Sequence, residues 1–359
     1  MSFWHRFCLV SGSMPKISLK SILVLLSLLI CQLSTSWTPA HAVGKKPLVI
    51  AHRGDESEYM ENSLPAFAGA AQVGADMVEL DVVYTKDNVP LVFHDVAFER
   101  EMIQCGALQG ALVRNLSLEQ IQTHCHFNPD LYFHPQTPQT LAPSDLPLLR
   151  DRSENLMTPP RLASVLDMMK RSSTGVLIEL KSFMQNQKGA SDPVAPNQDQ
   201  AILDLLAALD PSQSCLQDSG DSQSLTFSCY NKIKVMSFDG DLMDRLNHEL
   251  RTNLKYAHMQ KIKMLKLVGA SSELVDPKHW SDHWSLDGVA FYFGLGDQGS
   301  FDSEKLDQLL EQIQRQPISA NKLKFVWTVQ SPDQMESLRK KQLDGIINGI
   351  PWYAEHWKF

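Results

Sequence analysis

The sequence predicts an α/β fold, a TIM (β/α)8 barrel with an accessory β-hairpin strand and an inserted loop region after it. Three observations point there. Short β-rich runs alternate with amphipathic stretches, the rhythm of βα units around a parallel sheet. Eight such runs occupy the last ~310 residues, a length that suits eight units with insertions. No glycine-rich nucleotide fingerprint follows the first run, which argues against an open doubly wound sheet.

The first strand is expected at 48–51. A helix over 61–73 follows, with Leu64, Phe67, Ala68 and Ala71 on one face and Gly74 as its C-cap. The second strand covers 77–84. Only Thr85-Lys86-Asp87-Asn88-Val89 separates it from a further run at 90–94. A parallel crossover needs roughly a dozen residues, so this link is a hairpin, with Asn88 suited to positive φ. The hairpin strand is extra to the eight and carries His94 back towards the second strand. The other six are placed at 175–180, 232–238, 253–257, 288–293, 324–329 and 344–348.

Two stretches break the rhythm. Residues 96–156 hold Cys105, Cys125, several aromatics and Pro135, Pro138, Pro143 and Pro147. That insertion is too long for a plain βα loop and too apolar to be wholly disordered, so it is a candidate specificity lid beside His94. The polar stretch 185–200 reads as a surface loop, and 210–227, with Cys215, as a second stapled excursion.

At the N-terminus Arg6, Lys16 and Lys20 precede an apolar run at 22–30, and Ala40-His41-Ala42 is a small-x-small cleavage site. Residues 1–42 therefore read as a signal peptide, leaving a single domain over 43–359 that is exported, periplasmic or secreted. The apolar run is too short to span a bilayer; a retained anchor is the alternative, and Met14 would open a shorter signal. A lipoprotein reading at Cys31 meets a bulky Ile30. The 33 basic residues less the three in that segment leave 30 against 41 acidic, so the whole-chain charge of -8 becomes -11. Such a surface argues against non-specific nucleic-acid binding and fits a soluble protein. Of six cysteines, Cys105, Cys125, Cys215 and Cys229 remain after cleavage. Three pairings are open in an oxidising compartment, with the local pairs Cys105–Cys125 and Cys215–Cys229 favoured.

The chemistry lies at strand ends, where barrel side chains converge on one face. Glu79 and Asp81 stand one residue apart in Val78-Glu79-Leu80-Asp81-Val82, so both point to the same side of a strand. Glu179 and Lys181 repeat that spacing in Ile178-Glu179-Leu180-Lys181. His52 and Arg53 follow the first strand, and His94 ends the hairpin. Three carboxylates suit a hard divalent cation such as Ca2+ or Mg2+; Arg53 and Lys181 add positive charge for phosphate oxygens; two imidazoles can move protons. Taken singly, a Glu-x-Asp pair is usually a solvated strand edge, and a His-Asp pair a surface turn. They matter because the predicted barrel gathers them on one face.

Here the chain resembles the glycerophosphodiester phosphodiesterases. The match runs through His52-Arg53-Gly54, Glu61-Asn62-Ser63, Gly74-Ala75-Asp76, Glu79-Leu80-Asp81-Val82, Thr85-Lys86-Asp87 and His94-Asp95. It continues through Thr158-Pro159, Glu179-Leu180-Lys181, Ser237-Phe238, Trp327-Thr328-Val329 and Leu343-Asp344-Gly345-Ile346-Ile347. The resemblance implies a metal-dependent TIM-barrel enzyme that hydrolyses glycerophosphodiesters to glycerol 3-phosphate and an alcohol. It further implies His52 and His94 as general acid and base, Glu79, Asp81 and Glu179 as metal ligands, and Arg53 and Lys181 on the phosphate. Trp327 falls at a pocket-floor position and Glu61 near the metal. The chain departs from the family pattern at Met60, Ser63 and Asn88, and has Asn348-Gly349 where a Thr-Asp pair is expected.

Water or the glycerol 2-hydroxyl can serve as nucleophile in that scheme. Other readings are a phospholipase-D-like enzyme on lysophospholipids, favoured if the insertion forms an apolar groove, and an inactive exported ligand-binding barrel. A phosphatidylinositol-type phospholipase C also has two histidines, but the Glu-x-Asp and Glu-x-Lys pairs argue against it.

Overall fold

Eleven strands are described, and nine of them form one sheet. They are β1 (Leu48–Ala51), β2 (Met77–Tyr84), β3 (Pro90–Val92), β4 (Ile103–Gln104), β5 (His126–Phe127), β6 (Gly175–Leu180), β7 (Ile233–Ser237), β8 (Lys263–Val268), β9 (Gly288–Tyr292), β10 (Leu323–Val329) and β11 (Gly345–Asn348). The structure is a computed structural model describing residues 46–181, 232–269, 285–292, 294, 302–315, 322–339 and 341–356. The segment 1–42, the stretches 185–200 and 210–227, and the Cys215–Cys229 pair lie outside the described residues.

The sheet runs β1-β11-β10-β9-β8-β7-β6-β2-β3, and β1 also pairs in parallel with β2. Eight parallel strands therefore close into a barrel. β3 stands outside as the expected hairpin partner, antiparallel to β2 with Val82 opposite Val92. Asn88 takes φ +59° in the connecting turn, the conformation that makes a two-strand link this short possible.

Alternation along each strand divides its side chains between two cores. On β2, Val78, Leu80 and Val82 join the outer layer under the helices, while Met77, Glu79 and Asp81 face inwards. Ile50, Leu177, Leu265, Phe325 and Ile347 fill the inner layer below those carboxylates. The first helix, α1 (Leu64–Gln72), starts three residues later than its apolar periodicity predicts. Ser63 caps it by accepting from Ala66 N–H, which leaves Glu61 and Asn62 in the preceding loop.

One predicted strand is wrong. Residues 254–257 lie in a 3-10 turn, Leu254–Met259, with Asn253 as its cap, and the fifth barrel strand is β8. Asn253 caps that turn through Lys255 N–H, and alternation there is an accident of the turn: Leu254 is 88 % exposed and Tyr256 fully buried. The Lys263–Val268 run supplies the ladder between β7 and β9 instead.

The insertion at 96–156 builds a small core of its own. Phe98, Ile103, Val113, Ile121, Phe127 and Tyr132 pack with Phe93 at the end of the hairpin. A short helix, α2 (Leu118–His124), and the β4–β5 pair frame it, and a Cys105–Cys125 disulfide joins them as the local pairing expects. Its later part grips the loop after β1: Met60 N–H donates to Tyr132 O at 2.9 Å and Tyr59 Oη–H to Leu141 O at 2.7 Å.

Candidate active site

Register places the acids. Asp81 on β2 is the ladder partner of Glu179 on β6, and Glu79 lies two residues before Asp81 on the same face. Oxygens of the three carboxylates come within 4.8 Å of one another, all of them buried. Burial and the neighbouring acids push the Glu79 carboxyl well above its usual range. Asp81 goes the opposite way despite its burial, because Lys181 and Arg53 sit against it. Three crowded oxygen donors whose like charge is only partly offset fit a hard divalent cation, and nothing in the donor set favours a soft one.

Lys181 closes the far side of this cluster. Its Nζ lies 2.5 Å from Glu179 Oε1 and 2.9 Å from Asp81 Oδ1, which raises the ammonium pKa against the opposing effect of burial. Arg53 closes the near side. Its backbone N–H donates to Glu79 Oε2 at 3.0 Å, its Nη1 lies 3.0 Å from both Glu61 oxygens, and its Nε lies 3.3 Å from Asp81 Oδ2.

The turn after β1 is built for that reach. Arg53 has φ +54° and Gly54 φ +86°, and a Cβ on Gly54 would stand 2.6 Å from the Ala66 carbonyl carbon. Only glycine fits there. Asn62, at φ +56° and fully buried, makes two bonds with Asp81: Nδ2–H to Oδ2 at 2.8 Å, and Oδ1 from Asp81 N–H at 3.1 Å.

His52 and His94 line the same pocket of about 250 Å³, with Arg53, Lys181, Glu79 and Glu179. Phe238, Leu267 and Trp327 form its apolar wall. Trp327 packs edge-on against Phe238, ring centroids 5.5 Å apart, and its buried Nε1–H has no acceptor among the described residues. Each histidine has a carboxylate on Nδ1: Glu56 Oε1 at 2.8 Å for His52, and Asp95 Oδ1 at 2.6 Å for His94. Burial alone would depress the His52 pKa, but the bond to Glu56 and the charges of Glu56 and Glu79 raise it above 6.5.

Sequence reasoning missed Arg100. It lies in the insertion, its Nε bonded to Asp95 and its Nη2 2.5 Å from Glu61 Oε1. A continuous ionic chain thus runs His94–Asp95–Arg100–Glu61–Arg53–Asp81. Glu56 and Asn62 also escaped as individual residues. The His-Asp and Glu-Asn-Ser motifs contain Asp95 and Asn62, but neither residue was singled out.

Residues 52–349, which hold every group just described, match the Glycerophosphoryl diester phosphodiesterase family. The chain belongs to that family. It is a phosphoric diester hydrolase of the glycerophosphodiester phosphodiesterase class. A glycerophosphodiester phosphodiesterase from Caldanaerobacter subterraneus subsp. tengcongensis is 26 % identical over 309 residues, covering 85 % of this chain and 95 % of its relative. Among solved structures, a phosphodiesterase from Oleispira antarctica, in complex with the product sn-glycerol-3-phosphate, superposes with a TM-score of 0.56 at 16 % identity. That match covers 87 % of this chain and 96 % of the other. A glycerophosphodiester phosphodiesterase from Parabacteroides distasonis gives a TM-score of 0.54 at 18 % identity, covering 88 % and 98 %. At these identities the solved structures establish the barrel and nothing finer. Among the described residues no helix is long and apolar enough to cross a membrane.

Proposed function

We propose that this enzyme hydrolyses glycerophosphodiesters to glycerol 3-phosphate and an alcohol, using one divalent cation and the His52–His94 pair. The observation that carries this reading is the shared pocket: two carboxylate-backed imidazoles beside three crowded acids, Arg53 and Lys181. Glu79, Asp81 and Glu179 would hold the cation, Ca2+ or Mg2+, which supplies charge neutralisation at a non-bridging phosphate oxygen. Arg53 and Lys181 bind and orient the remaining phosphate oxygens. One histidine takes the proton of the attacking water, or of the glycerol 2-hydroxyl on a route whose cyclic phosphate water then opens, and the other gives a proton to the leaving alkoxide. Phe238 and Trp327 shield the reacting phosphate from bulk water.

A small polar alcohol suits the surroundings better than an acyl chain. The insertion aromatics Phe98, Phe127 and Tyr132 are turned into its core. The groove of about 450 Å³ next to the site presents Glu56, Glu58 and Glu61, with Leu131 as its exposed apolar residue. Lysophospholipids are therefore the second substrate class to assay. Export is part of the proposal, supported by the N-terminal pattern and by the Cys105–Cys125 disulfide, a bond that persists in oxidising compartments.

Glycerophosphocholine should yield glycerol 3-phosphate and choline. His52→Ala and His94→Ala should each slow turnover by roughly two to four orders of magnitude, the usual scale for general acid–base groups. Release of phosphocholine, or undiminished turnover by either variant, would sink the assignment.

A further inference from the structure

The two histidines share an arrangement but obtain it differently. Asp95 directly follows His94 and is fastened by Arg100. Glu56 stands four residues beyond His52, and its Oε1, 2.8 Å from His52 Nδ1, lies over Gly349 at the end of β11. A Cβ on Gly349 would stand 2.6 Å from that oxygen and 2.5 Å from Gln330 Oε1. Gly349 does not have a left-handed φ, so backbone freedom is not what calls for glycine here. Space is. The backbone cannot easily yield that space: His52 N–H donates to Asn348 O at 2.8 Å, and Gly349 N–H to Val329 O at 3.0 Å. A side chain at 349 would instead displace the flexible ends of Glu56 and Gln330.

We propose that Glu56 is the positioning residue of His52 and that position 349 is glycine to admit its carboxylate. The chain has Asn348-Gly349 where a Thr-Asp pair is expected, and an aspartate at 349 would project its own carboxylate into the volume Glu56 fills. The histidine thus takes its partner from the loop after β1. Glu56 accepts the Nδ1 proton, fixing the ring orientation and the tautomer and leaving Nε2 for the chemistry. Glu56 itself touches no reacting atom. The inference rests on the acid–base reading of His52.

The test compares kcat and KM for glycerophosphocholine in wild type, Glu56→Ala, Gly349→Ala, the double Ala variant, and Glu56→Ala/Gly349→Asp. Beside these, 15N-histidine NMR reads the His52 Nδ1–H resonance. Glu56→Ala should cut kcat by roughly ten- to a hundred-fold, the scale of outer groups that orient a reacting ligand, with KM retained. Gly349→Ala should act in the same direction although it adds only a methyl group. The double Ala variant should be no worse than the worse single, because both remove one interaction. The Asp exchange should recover kcat. Wild-type kcat in Glu56→Ala, or multiplicative losses in the double Ala variant, would overturn the proposal. If wild type hydrolyses nothing, the functional reading fails, and the NMR arm still decides: a His52 Nδ1–H signal unchanged by Glu56→Ala contradicts the positioning role, and its loss supports it.

Discussion

Asp81 and Glu179 face each other across the parallel β2–β6 ladder, and the Lys181 ammonium bridges them at 2.9 and 2.5 Å. Glu79, the third acid, draws its stabilising contacts from the other side, from the Arg53 backbone N–H and the charges of His52 and Arg53. The cluster is therefore asymmetric. Asp81 is firmly ionised, while Glu79 carries the cost of the crowding.

That asymmetry predicts a trade between stability and activity. With chelator present, Glu79→Gln should raise Tm, because it removes a buried carboxylate whose charged form the fold disfavours. A gain of about 1–3 kcal/mol is the expected order. The same variant should lose metal-dependent turnover. Thermal melts in chelator check the first half, and a Tm below wild type would contradict it.

Arg100 fastens both Asp95 and Glu61, and so reaches His94 on one side and Arg53 on the other. Arg100→Ala should lower kcat by about ten- to a hundred-fold, as loss of orienting outer groups does elsewhere. Its side chain is 39 % exposed, so Tm should move little. Steady-state kinetics with a parallel melt separate the two effects.

Asp55 gives a pH signature. It is 2 % exposed, and its carboxyl is pushed up to about 7, by burial first and by Glu58 and Glu56 in addition, against the bond from Ser57. Its folded pKa lies above the unfolded value of 3.8. The associated stability is thus fully present below about pH 4 and is lost as pH rises through about 7. Asp55→Asn should therefore gain stability at pH 8, with a ceiling of about 4 kcal/mol, and gain almost nothing at pH 4. Denaturant titrations at the two pH values check this; equal gains would refute it.

Much of this molecule is legible in its sequence because strand alternation has a fixed period. Glu79-Leu80-Asp81 inside a run of apolar residues puts two acids on one face of the strand, Glu179 repeats the signal on the neighbouring strand, and closure of the barrel makes that face the inner one. The five-residue link before Pro90 could only be a hairpin. What was lost has a physical reason in each case. Alternation at 253–257 mimics a strand inside a 3-10 turn, and only Asn253 capping distinguishes them. Arg100 meets Glu61 across 39 residues, a contact made by how the insertion folds and not by any local pattern. Glu56 resembles one more surface acid until Gly349 is seen beneath it.

Glu79, Asp81 and Glu179 are proposed as a metal site whose occupancy drives phosphodiester hydrolysis. The most direct measurement is glycerol 3-phosphate release from glycerophosphocholine, titrated with Ca2+ and with Mg2+ after chelation, in wild type and in Glu79→Ala. Saturable activation of wild type by one of the cations, with loss of that activation in Glu79→Ala, is the predicted result. Full activity in chelator, or an unchanged titration in the variant, would contradict it.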